Sequence, residues 1–439
     1  MNFTTDYRLE NFILQTQWAD IPAPVQERLR GCMLDLLGAL VAGSGSGQFA
    51  AGLALARRAF RSGDIAVIGA ADTFDFLGAS AAMGHASNAY DIDDGHNIIR
   101  AHPGTSFIGG LLAAGYECDL TAQDFLAALY VSYETTIRMG EAIMDYYQYA
   151  HSSGTFGAVG VAAGAGRIYG LDRAALNNIL SIAEFNAPLV PGIRSVEYPS
   201  MNKDGVPFGV MIGALALLAD QCGFTGNKHL LEADEYRRYL DDLGQNHEVM
   251  ALYFKPYPCC RWGHPAIDAC LALMAEHHVT AQDIKSVTVE TFYKATQLSK
   301  GIPSCADAAQ YNIAYPVAAA IVNNGFSIQQ VENTNDDAVI DMMGRLSFVC
   351  DPELDAQFPA RRLCRAAMVV KDGRRIVSDV HEPRGEACEN IGYDWLADKF
   401  HRITAHRLTS PQQEVFIQRL HNDDWTVRQL ISQVNAALL

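Results

Sequence analysis

Polar residues able to do acid–base chemistry are concentrated in one short stretch of the chain. Between His85 and His102, eighteen residues include three aspartates, three histidines and an arginine. Apolar helical segments are predicted on both sides, at 76–83 and 106–115. Carboxylates and imidazoles between buried helices must find partners or water, and loops held by rigid elements often carry catalytic groups. The stretch therefore indicates a catalytic loop, although a solvated loop with capping aspartates would have the same composition.

A second polar stretch, at 149–157, combines a histidine with three aliphatic hydroxyl side chains. His151 and Thr155 lie here, just before a helix rich in glycine and alanine. The N-terminus of a helix favours anions, so these residues are candidates for a substrate site. The alternative is a helix cap with a surface histidine. If the stretch belongs to the site, we expect His151 and Asp91 to share one cleft, with one of them handling the substrate proton.

Cationic side chains come from two further stretches. Lys203 precedes a very apolar helix, whereas Lys255, Arg261 and His264 share a loop stiffened by two prolines. An arginine can hold a carboxylate with two parallel hydrogen bonds, and a lysine inside a cleft can pair with an anion or move a proton. We therefore expect Lys203, Lys255 and Arg261 to converge on a di- or tricarboxylate. The alternatives are surface ion pairs for the lysines and a purely structural proline loop.

Two tyrosines open a helix predicted over 306–323. Tyr311 and Tyr315 are four residues apart, which places them on one helix face, although most such tyrosines are packing residues. Nucleotide loops, Ser-His-Asp elbows and zinc helices are absent from the sequence. Aspartate, histidine, lysine, arginine and tyrosine together suit removal of a proton next to a carboxylate, followed by loss of a hydroxyl group.

The elements that must position these residues are mainly helices. Helical periodicity dominates the chain until about residue 276, after which 284–292 alternates like a strand and 366–380 reads as a hairpin. The predicted fold class is therefore mainly α with an α+β part. We expect a large all-helical domain made of 1–269 and 391–439, and a smaller α+β lid domain at 270–390.

Composition and charge narrow the function. The net charge of −17 over 439 residues argues against a nucleic-acid partner, which needs a basic face. The ten cysteines are scattered without a CxxC pair, so we expect reduced thiols, no metal and no other cofactor. Apolar runs do not reach the length of a membrane span. With no signal peptide recognised, these features predict a cytoplasmic enzyme acting on a small molecule.

Several motifs, in order and at matching intervals, resemble the MmgE/PrpD family. They are LDLLG at 34–38, YDIDD at 90–94 with HP at 102–103, HSSGTFG at 151–157, KPYPCCR at 255–261 and GHPAID at 263–268. The family contains 2-methylcitrate dehydratases, cis-aconitate decarboxylases and iminodisuccinate epimerases. The resemblance implies a helical domain, a lid domain, an active site between them, a homodimer and no cofactor.

The resemblance also implies which residues form the site. By motif position, the expected catalytic residues are Asp91, His102, His151, Lys203 and Tyr315. The expected substrate-binding residues are Lys255, which also matches by position, with Arg261, His264 and Thr155 from the motif loops. The chain departs from the family at Gly95, where many members have Thr or Ser, and at Cys260, where a decarboxylase-like member would carry His.

These observations lead to one expected activity with alternatives. The leading expectation is a cofactor-independent lyase that dehydrates a 2-methylcitrate-like hydroxy-tricarboxylate. An epimerase or isomerase of a dicarboxylate such as iminodisuccinate would use the same proton abstraction. A cis-aconitate decarboxylase is a further alternative, on which Cys260 weighs unfavourably. A non-catalytic carboxylate-binding paralogue is the alternative from another class, with Gly95 as the mark of a lost site.

Overall fold

The computed structural model describes residues 1–148 and 152–439. Most of these residues are helical, and the strands form three small sheets among the described residues. The predicted fold class, mainly α with an α+β part, is confirmed.

The first half of the described chain is a layered assembly of helices. Its α-helices are α1 (Arg8–Gln15), α2 (Ala23–Gly43), α3 (Gly47–Ala59), α4 (Phe76–Ser87), α5 (Thr105–Cys118), α6 (Ala122–Tyr147), α7 (Ser153–Ile168), α8 (Arg173–Asn186), α9 (Ile193–Glu197) and α10 (Val206–Gln221). A Cβ atom on Gly209 of α10 would lie 2.3 Å from the carbonyl oxygen of Gly154 in α7. Glycine is therefore needed there for the two helices to approach so closely.

Two short antiparallel ladders accompany these helices. Strand β1 (Ile65–Ala66) pairs with β2 (Thr73–Phe74), and β3 (Asp94–His96) pairs with β4 (Leu252–Phe254). In the second ladder Asp94 lies opposite Phe254. This ladder brings the aspartate-rich loop beside the lysine and proline loop, which begins directly after β4.

The α+β part is built on one four-stranded sheet. Its strands and helices are α11 (His264–His277), β5 (Ile284–Thr291), α12 (Tyr293–Thr296), α13 (Ala306–Gln310), α14 (Ala314–Asn323), α15 (Ile328–Glu332), α16 (Asp337–Met343), β6 (Leu346–Cys350), α17 (Pro352–Asp355), β7 (Cys364–Val370) and β8 (Arg375–Val377). The strand order is β6-β5-β7-β8, with β5 and β6 parallel and the other pairs antiparallel. The strand at 284–292 and the hairpin after it are therefore confirmed.

The C-terminal helices return to the helical part, as predicted. They are α18 (Tyr393–Thr404), α19 (Ser410–His421) and α20 (Val427–Leu438). Helices α18 and α19 pack on α2, and α20 packs on α5. The buried apolar side chains form two large clusters, one within the helical part and one built mainly from the α+β part, which also takes in Ala39, Tyr90 and Ile403 of the helical part. The division into a helical domain of 1–269 and 391–439 and a lid domain of 270–390 stays a proposal, and its first boundary falls within α11.

Within residues 1–148 and 152–439, no single helix is long and apolar enough to cross a membrane. The bent pair α2 and α3, which meet at 82°, passes that test together by length and composition.

Candidate active site

A cavity of about 270 Å³ is lined by residues from both the helical part and the α+β part. Its charged lining among the described residues comprises two carboxylates and six basic side chains, namely Asp91, Asp204, Arg100, His102, Lys255, Arg261, Lys294 and Arg362. Basic groups thus outnumber acidic ones here, although the whole chain carries a net charge of −17. Such a local excess attracts anions.

Three of the predicted residues meet at the base of this cavity. The Oδ1 atom of Asp91 lies 2.6 Å from Nζ of Lys255 and 3.3 Å from Nε2 of His102. The other ring nitrogen of His102, Nδ1, lies 3.1 Å from Oδ2 of Asp93 and 2.7 Å from the carbonyl oxygen of Asp94. Both nitrogens therefore face acceptors, an arrangement that suits an imidazolium donating at both positions.

The carboxylates keep these two bases protonated. Burial would lower the pKa of His102, but Asp93 and Asp91 outweigh it and raise that pKa well above its ordinary value. Burial would likewise lower the pKa of Lys255, and the neighbouring Asp91 carboxylate raises it instead. Burial raises the pKa of Asp204, which lies 3.9 Å from His102, although His102 opposes this shift. The site thus presents two fixed cations and a carboxylate of increased basicity.

Hydrogen bonds from the surrounding helices hold the aspartate loop. Asp91 has a left-handed backbone with φ of 49°, which costs about 1–3 kcal/mol unless the surroundings impose it. Nearby, Asp93 accepts from Thr105 at 2.7 Å, and Asp94 accepts from the backbone N–H of Gly104 at 3.0 Å.

A buried ion pair supports the loop from below. Lys399 of α18 donates to the carbonyl oxygen of Ile92 at 2.6 Å and lies 2.5 Å from Oδ1 of Asp35 in α2. Burial raises the pKa of Asp35 to about 6, although Lys399 opposes this shift. The loop is therefore tied to the first long helix and to the C-terminal helices at once.

The other residues of the proline loop have local partners. The guanidinium of Arg261 lines the cavity, but its Nη2 lies 2.7 Å from Oε1 of Glu386 and its plane lies over the ring of Tyr253. His264 does not line the cavity, and its Nε2 lies 3.0 Å from the carbonyl oxygen of Cys259. Burial and the nearby Arg261 hold the pKa of His264 well below its ordinary value, so this ring is neutral.

Three further predicted residues lie away from the cavity lining or outside the described residues. Thr155 donates to the carbonyl oxygen of Pro188 at 2.6 Å and is not in the lining. The Lys203 ammonium lies 3.1 Å from Asp307, and Lys203 is also absent from the lining. The structure therefore brings Lys255 and Arg261 to one cavity without Lys203. His151 lies outside the described residues.

The two tyrosines have different environments because the predicted helix over 306–323 is wrong. Helix α13 ends at Gln310 and α14 begins at Ala314. Pro316 has no N–H to continue a helix from Asn312, and the Asn312 side chain instead accepts from the N–H of Tyr315 at 2.8 Å. The break directs Tyr311 into the cavity lining.

The tyrosine expected in the site is held elsewhere. The hydroxyl of Tyr315 lies 2.6 Å from the carbonyl oxygen of Gln330 and 2.8 Å from that of Asn333, and Tyr315 is absent from the lining. The buried hydroxyl of Tyr311 has no hydrogen-bond partner among the described residues. Burial raises the pKa of Tyr311 well above its usual value, so Tyr311 offers the cavity a neutral O–H donor.

The two tyrosines provide a matched test of this assignment. Tyr311→Phe should lower kcat about tenfold, because one hydrogen bond to the reacting substrate is lost. Tyr315→Phe should leave kcat near the wild-type value and lower the free energy of unfolding by about 1 kcal/mol. Steady-state kinetics and urea denaturation of both variants check this. Equal kinetic losses in the two variants would contradict the expectation that the Tyr311 hydroxyl contacts the substrate and the Tyr315 hydroxyl does not.

Sequence reasoning missed several residues of the lining. Arg100, Asp204, Lys294 and Arg362 were not among the expected site residues, and no motif in the sequence marks Lys294 or Arg362. Asp204 directly follows Lys203, which was the available signal. Arg362 is buried and donates to Asn97 at 2.6 Å across the two parts of the molecule.

Gly95 has a structural reason in this chain. It lies opposite Tyr253 in the β3–β4 ladder, and a Cβ atom on Gly95 would lie 2.2 Å from the Tyr253 ring. The missing side chain therefore makes room for a tyrosine that lines the cavity and carries the Arg261 guanidinium. Glycine at position 95 is therefore explained by the Tyr253 side chain, which fills this part of the cavity wall, and it is not by itself a sign of a lost site.

One group in the described part of the chain has the donor types of a metal site. Ligand atoms of Asp91, His102 and Asp204 lie within 4.8 Å of one another. A histidine ligand must be neutral to offer a lone pair, whereas His102 is kept protonated by its carboxylate neighbours. The ammonium of Lys255 already lies against Oδ1 of Asp91. These residues therefore fit a network of ion pairs better than a metal ion.

Metal independence follows as a prediction. Elemental analysis of the purified protein should show no stoichiometric metal, and EDTA should leave the rate unchanged, because Lys255 and His102 supply the positive charge that a metal would otherwise provide. Loss of activity in EDTA, restored by one particular metal, is the contrary result.

Comparison with known protein families agrees with this architecture. A helical body, a small α+β part and an acid–base cavity lined by both describe an enzyme. Residues 7–242 match the MmgE/PrpD N-terminal domain, and residues 257–423 match the MmgE/PrpD C-terminal domain. The chain belongs to the MmgE/PrpD family, which includes hydro-lyases. No curated protein matches the chain.

Proposed function

We propose that this protein is a lyase that dehydrates a 2-methylcitrate-like hydroxy-tricarboxylate by removing an α-proton. The observation that carries the proposal is the contact of Asp91 with both Lys255 and His102 in a cavity of mainly basic lining. Family membership supports lyase chemistry in general. The choice of substrate rests on the charge and the apolar surface of the cavity.

The charge of the lining supports a substrate with several carboxylates. A carboxylate in a partly dry cavity is strongly disfavoured unless it is paired. The side chains of Arg100 and Lys294 make no hydrogen bond or ion pair with the other described residues, so their charges are available to a ligand. Lys255 adds a buried cation at the base. A tricarboxylate matches this number of positive groups.

An apolar wall supports the methyl substituent. Ile193, Val196, Trp262 and Phe358 line the same cavity, and the rings of Trp262 and Phe358 pack edge to face with centroids 6.2 Å apart. Burying one methyl group against such a surface stabilises binding by about 0.8 kcal/mol. The wall therefore favours 2-methylcitrate over citrate.

We propose roles for four polar groups of the cavity. Burial raises the pKa of Asp204, and this carboxylate accepts the α-proton as the C–H bond of the substrate breaks. Lys255 stabilises the negative charge that develops on the adjacent carboxylate, and a carbon–carbon double bond forms as that charge collapses. The imidazolium of His102 donates a proton to the departing hydroxyl group, which leaves as water. Asp91 holds Lys255 and His102 in place.

The alternative activities share the first step but differ in product. An epimerase would return the proton to the opposite face of the same carbon without losing water. A cis-aconitate decarboxylase would release carbon dioxide. Where a decarboxylase-like member of the family would carry His, this chain has Cys260. The Cys260 thiol lines the cavity, and burial raises its pKa to about 12. A neutral thiol is a weak proton donor there, which weighs against decarboxylation.

A direct assay separates these activities. Purified protein is incubated with 2-methylcitrate, citrate, cis-aconitate or iminodisuccinate in D₂O, and the products are followed by NMR. We expect the unsaturated tricarboxylate from 2-methylcitrate, at a rate that the Asp91→Asn protein does not reach. Deuterium incorporation without loss of water would favour epimerisation, and saturable binding without any reaction would favour a non-catalytic role.

We further propose that the protein is a homodimer. Large apolar side chains are exposed along and around α8 to α10, namely Phe185, Tyr198, Phe208 and Leu215. Exposed apolar surface of this kind marks contact sites, and a second copy of the chain is the expected occupant. Sedimentation equilibrium should give twice the chain mass, and Phe208→Glu should shift it toward the monomer mass.

A further inference from the structure

The Lys203 ammonium is fully buried at a junction of three chain segments. Its side chain has 0% exposure. Nζ lies 3.1 Å from Oδ1 of Asp307, donates to the carbonyl oxygen of Ala89 at 2.8 Å, and donates to the side-chain oxygen of Gln310. An ammonium group has three N–H donors. All three are used by protein groups, so none is left for a substrate.

Each of the three segments carries a cavity residue next to the junction. Asp91 lies two residues after Ala89, Tyr311 directly follows Gln310, and Asp204 directly follows Lys203. The ammonium therefore fixes the backbone from which three cavity side chains project.

Gln310 extends the junction to the proline loop. The side-chain nitrogen of Gln310 lies 3.3 Å from the carbonyl oxygen of Ala89. The backbone carbonyl oxygen of Gln310 accepts from the backbone N–H of Cys260 at 2.8 Å. Asp307 and Gln310 belong to the α+β part, whereas Ala89 and Lys203 belong to the helical part. The junction thus links the two sides of the cavity.

The backbone conformations of Lys203 and Asp91 also indicate that contacts at the junction hold these segments in place. Lys203 and Asp91 have left-handed backbones, with φ of 47° and 49°. Such conformations cost about 1–3 kcal/mol each and persist where surrounding contacts impose them. At Lys203 those contacts include two hydrogen bonds of its backbone. The N–H of Lys203 donates to the carbonyl oxygen of Ser200 at 3.0 Å, and the carbonyl oxygen of Lys203 accepts from the hydroxyl of Ser195 at 2.6 Å.

We infer that Lys203 is a positioning residue, which sets the separation of Asp91, Asp204 and Tyr311 from within the protein and does not contact the substrate. The inference rests on the proposed function, which gives Asp91 and Asp204 their roles in the reaction, while Tyr311 presents a hydroxyl group to the same cavity. It differs from the catalytic role that the sequence resemblance implies for Lys203.

A double-mutant cycle with Lys203→Met and Asp307→Ala tests the inference. Each single variant should lower kcat by about tenfold to a hundredfold, with KM within about threefold of wild type, because geometry is lost and not a binding contact. The double variant should be no slower than the slower single variant, since both changes break the same junction. Lys285→Met and Asp337→Ala, at exposed positions, are the matched controls.

The opposite pattern would overturn the inference. If Lys203 contacts the substrate, Lys203→Met raises KM strongly, Asp307→Ala stays near wild type, and the two effects add. If Lys203→Met does not fold, Gln310→Ala breaks the junction without leaving a charge unpaired, and the same split between kcat and KM is expected.

A crystal structure of Lys203→Met separates this inference from the proposed function. The side chains of Asp91, Asp204 and Tyr311 should be displaced relative to one another even if no substrate is turned over. An unchanged arrangement of the three in that variant would refute the positioning role. Wild-type protein inactive on every candidate substrate, with the three residues displaced in the variant, would refute only the proposed activity.

Discussion

Replacing Asp91 with asparagine should lower kcat by about two orders of magnitude or more, the usual scale for a group that controls proton transfer. The Asp91 carboxylate lies 2.6 Å from the Lys255 ammonium and 3.3 Å from the His102 ring. An amide carries no charge to hold either cation in place. Steady-state kinetics on the substrate identified by the product assay measures the effect.

A pH profile distinguishes this cause from a general loss of structure. Asp91 is one of the carboxylates that raise the pKa of His102. Removing a negative charge disfavours the imidazolium, so the pKa of His102 should fall in the variant. The His102 imidazolium, which is the proposed proton donor, would then lose its proton at a lower pH. The alkaline limb of the kcat profile should therefore move to lower pH. Asp72→Asn, which changes an exposed ion pair with Arg57, is the control and should alter neither quantity.

Replacing Lys255 with methionine should lower kcat/KM by about three orders of magnitude, equivalent to roughly 4 kcal/mol, because one fixed charge beside the reacting centre is lost. The Lys255 side chain is fully buried, with 0% exposure. Its removal also leaves the Asp91 carboxylate without its closest cation. Breaking a buried ion pair in this way costs about 3–5 kcal/mol of stability.

A second substitution tells the catalytic and structural effects apart. Asp91→Asn added to Lys255→Met removes the unpaired charge, so it should restore much of the free energy of unfolding without restoring kcat/KM. Urea denaturation and kinetics on the same protein samples measure both. Lys285→Met, at an exposed strand position, should change neither. A Lys255→Met protein with near-normal kcat/KM would remove Lys255 from the proposed mechanism.

The parts of the site that were predictable lie in short, dense motifs. Asp91 and His102 are eleven residues apart in a loop whose charge has no place in an apolar core, so their encounter could be expected. The fold class was also predictable, since helical and strand periodicity are local properties of the sequence. Lys255 follows a short strand whose pairing with Asp94–His96 fixed its position beside Asp91.

The parts that were missed depend on contacts between distant residues. Arg362 and Lys294 reach the cavity only because the α+β part folds against the helical part, and no local pattern encodes that contact. Tyr315 is the tyrosine that the family resemblance implies for the site, but Pro316 and the Asn312 side chain interrupt the expected helix, and Tyr311 lines the cavity instead. Lys203 was expected beside Lys255, and its burial against Asp307 could not be anticipated from the residues around it.

The ion pair between Asp35 and Lys399 has a consequence for synthesis of the protein. The aspartate loop lies in the first quarter of the chain, yet the ammonium that supports its Ile92 carbonyl is supplied by a helix near the end. On the ribosome, Asp35 and the aspartate loop emerge long before Lys399 does. Until Tyr393–Thr404 has been made, Asp35 lacks its ion-pair partner and the Ile92 carbonyl oxygen lacks this donor. This support for the loop is therefore added late in translation, and we expect a fragment that ends before this helix to contain the aspartates without it.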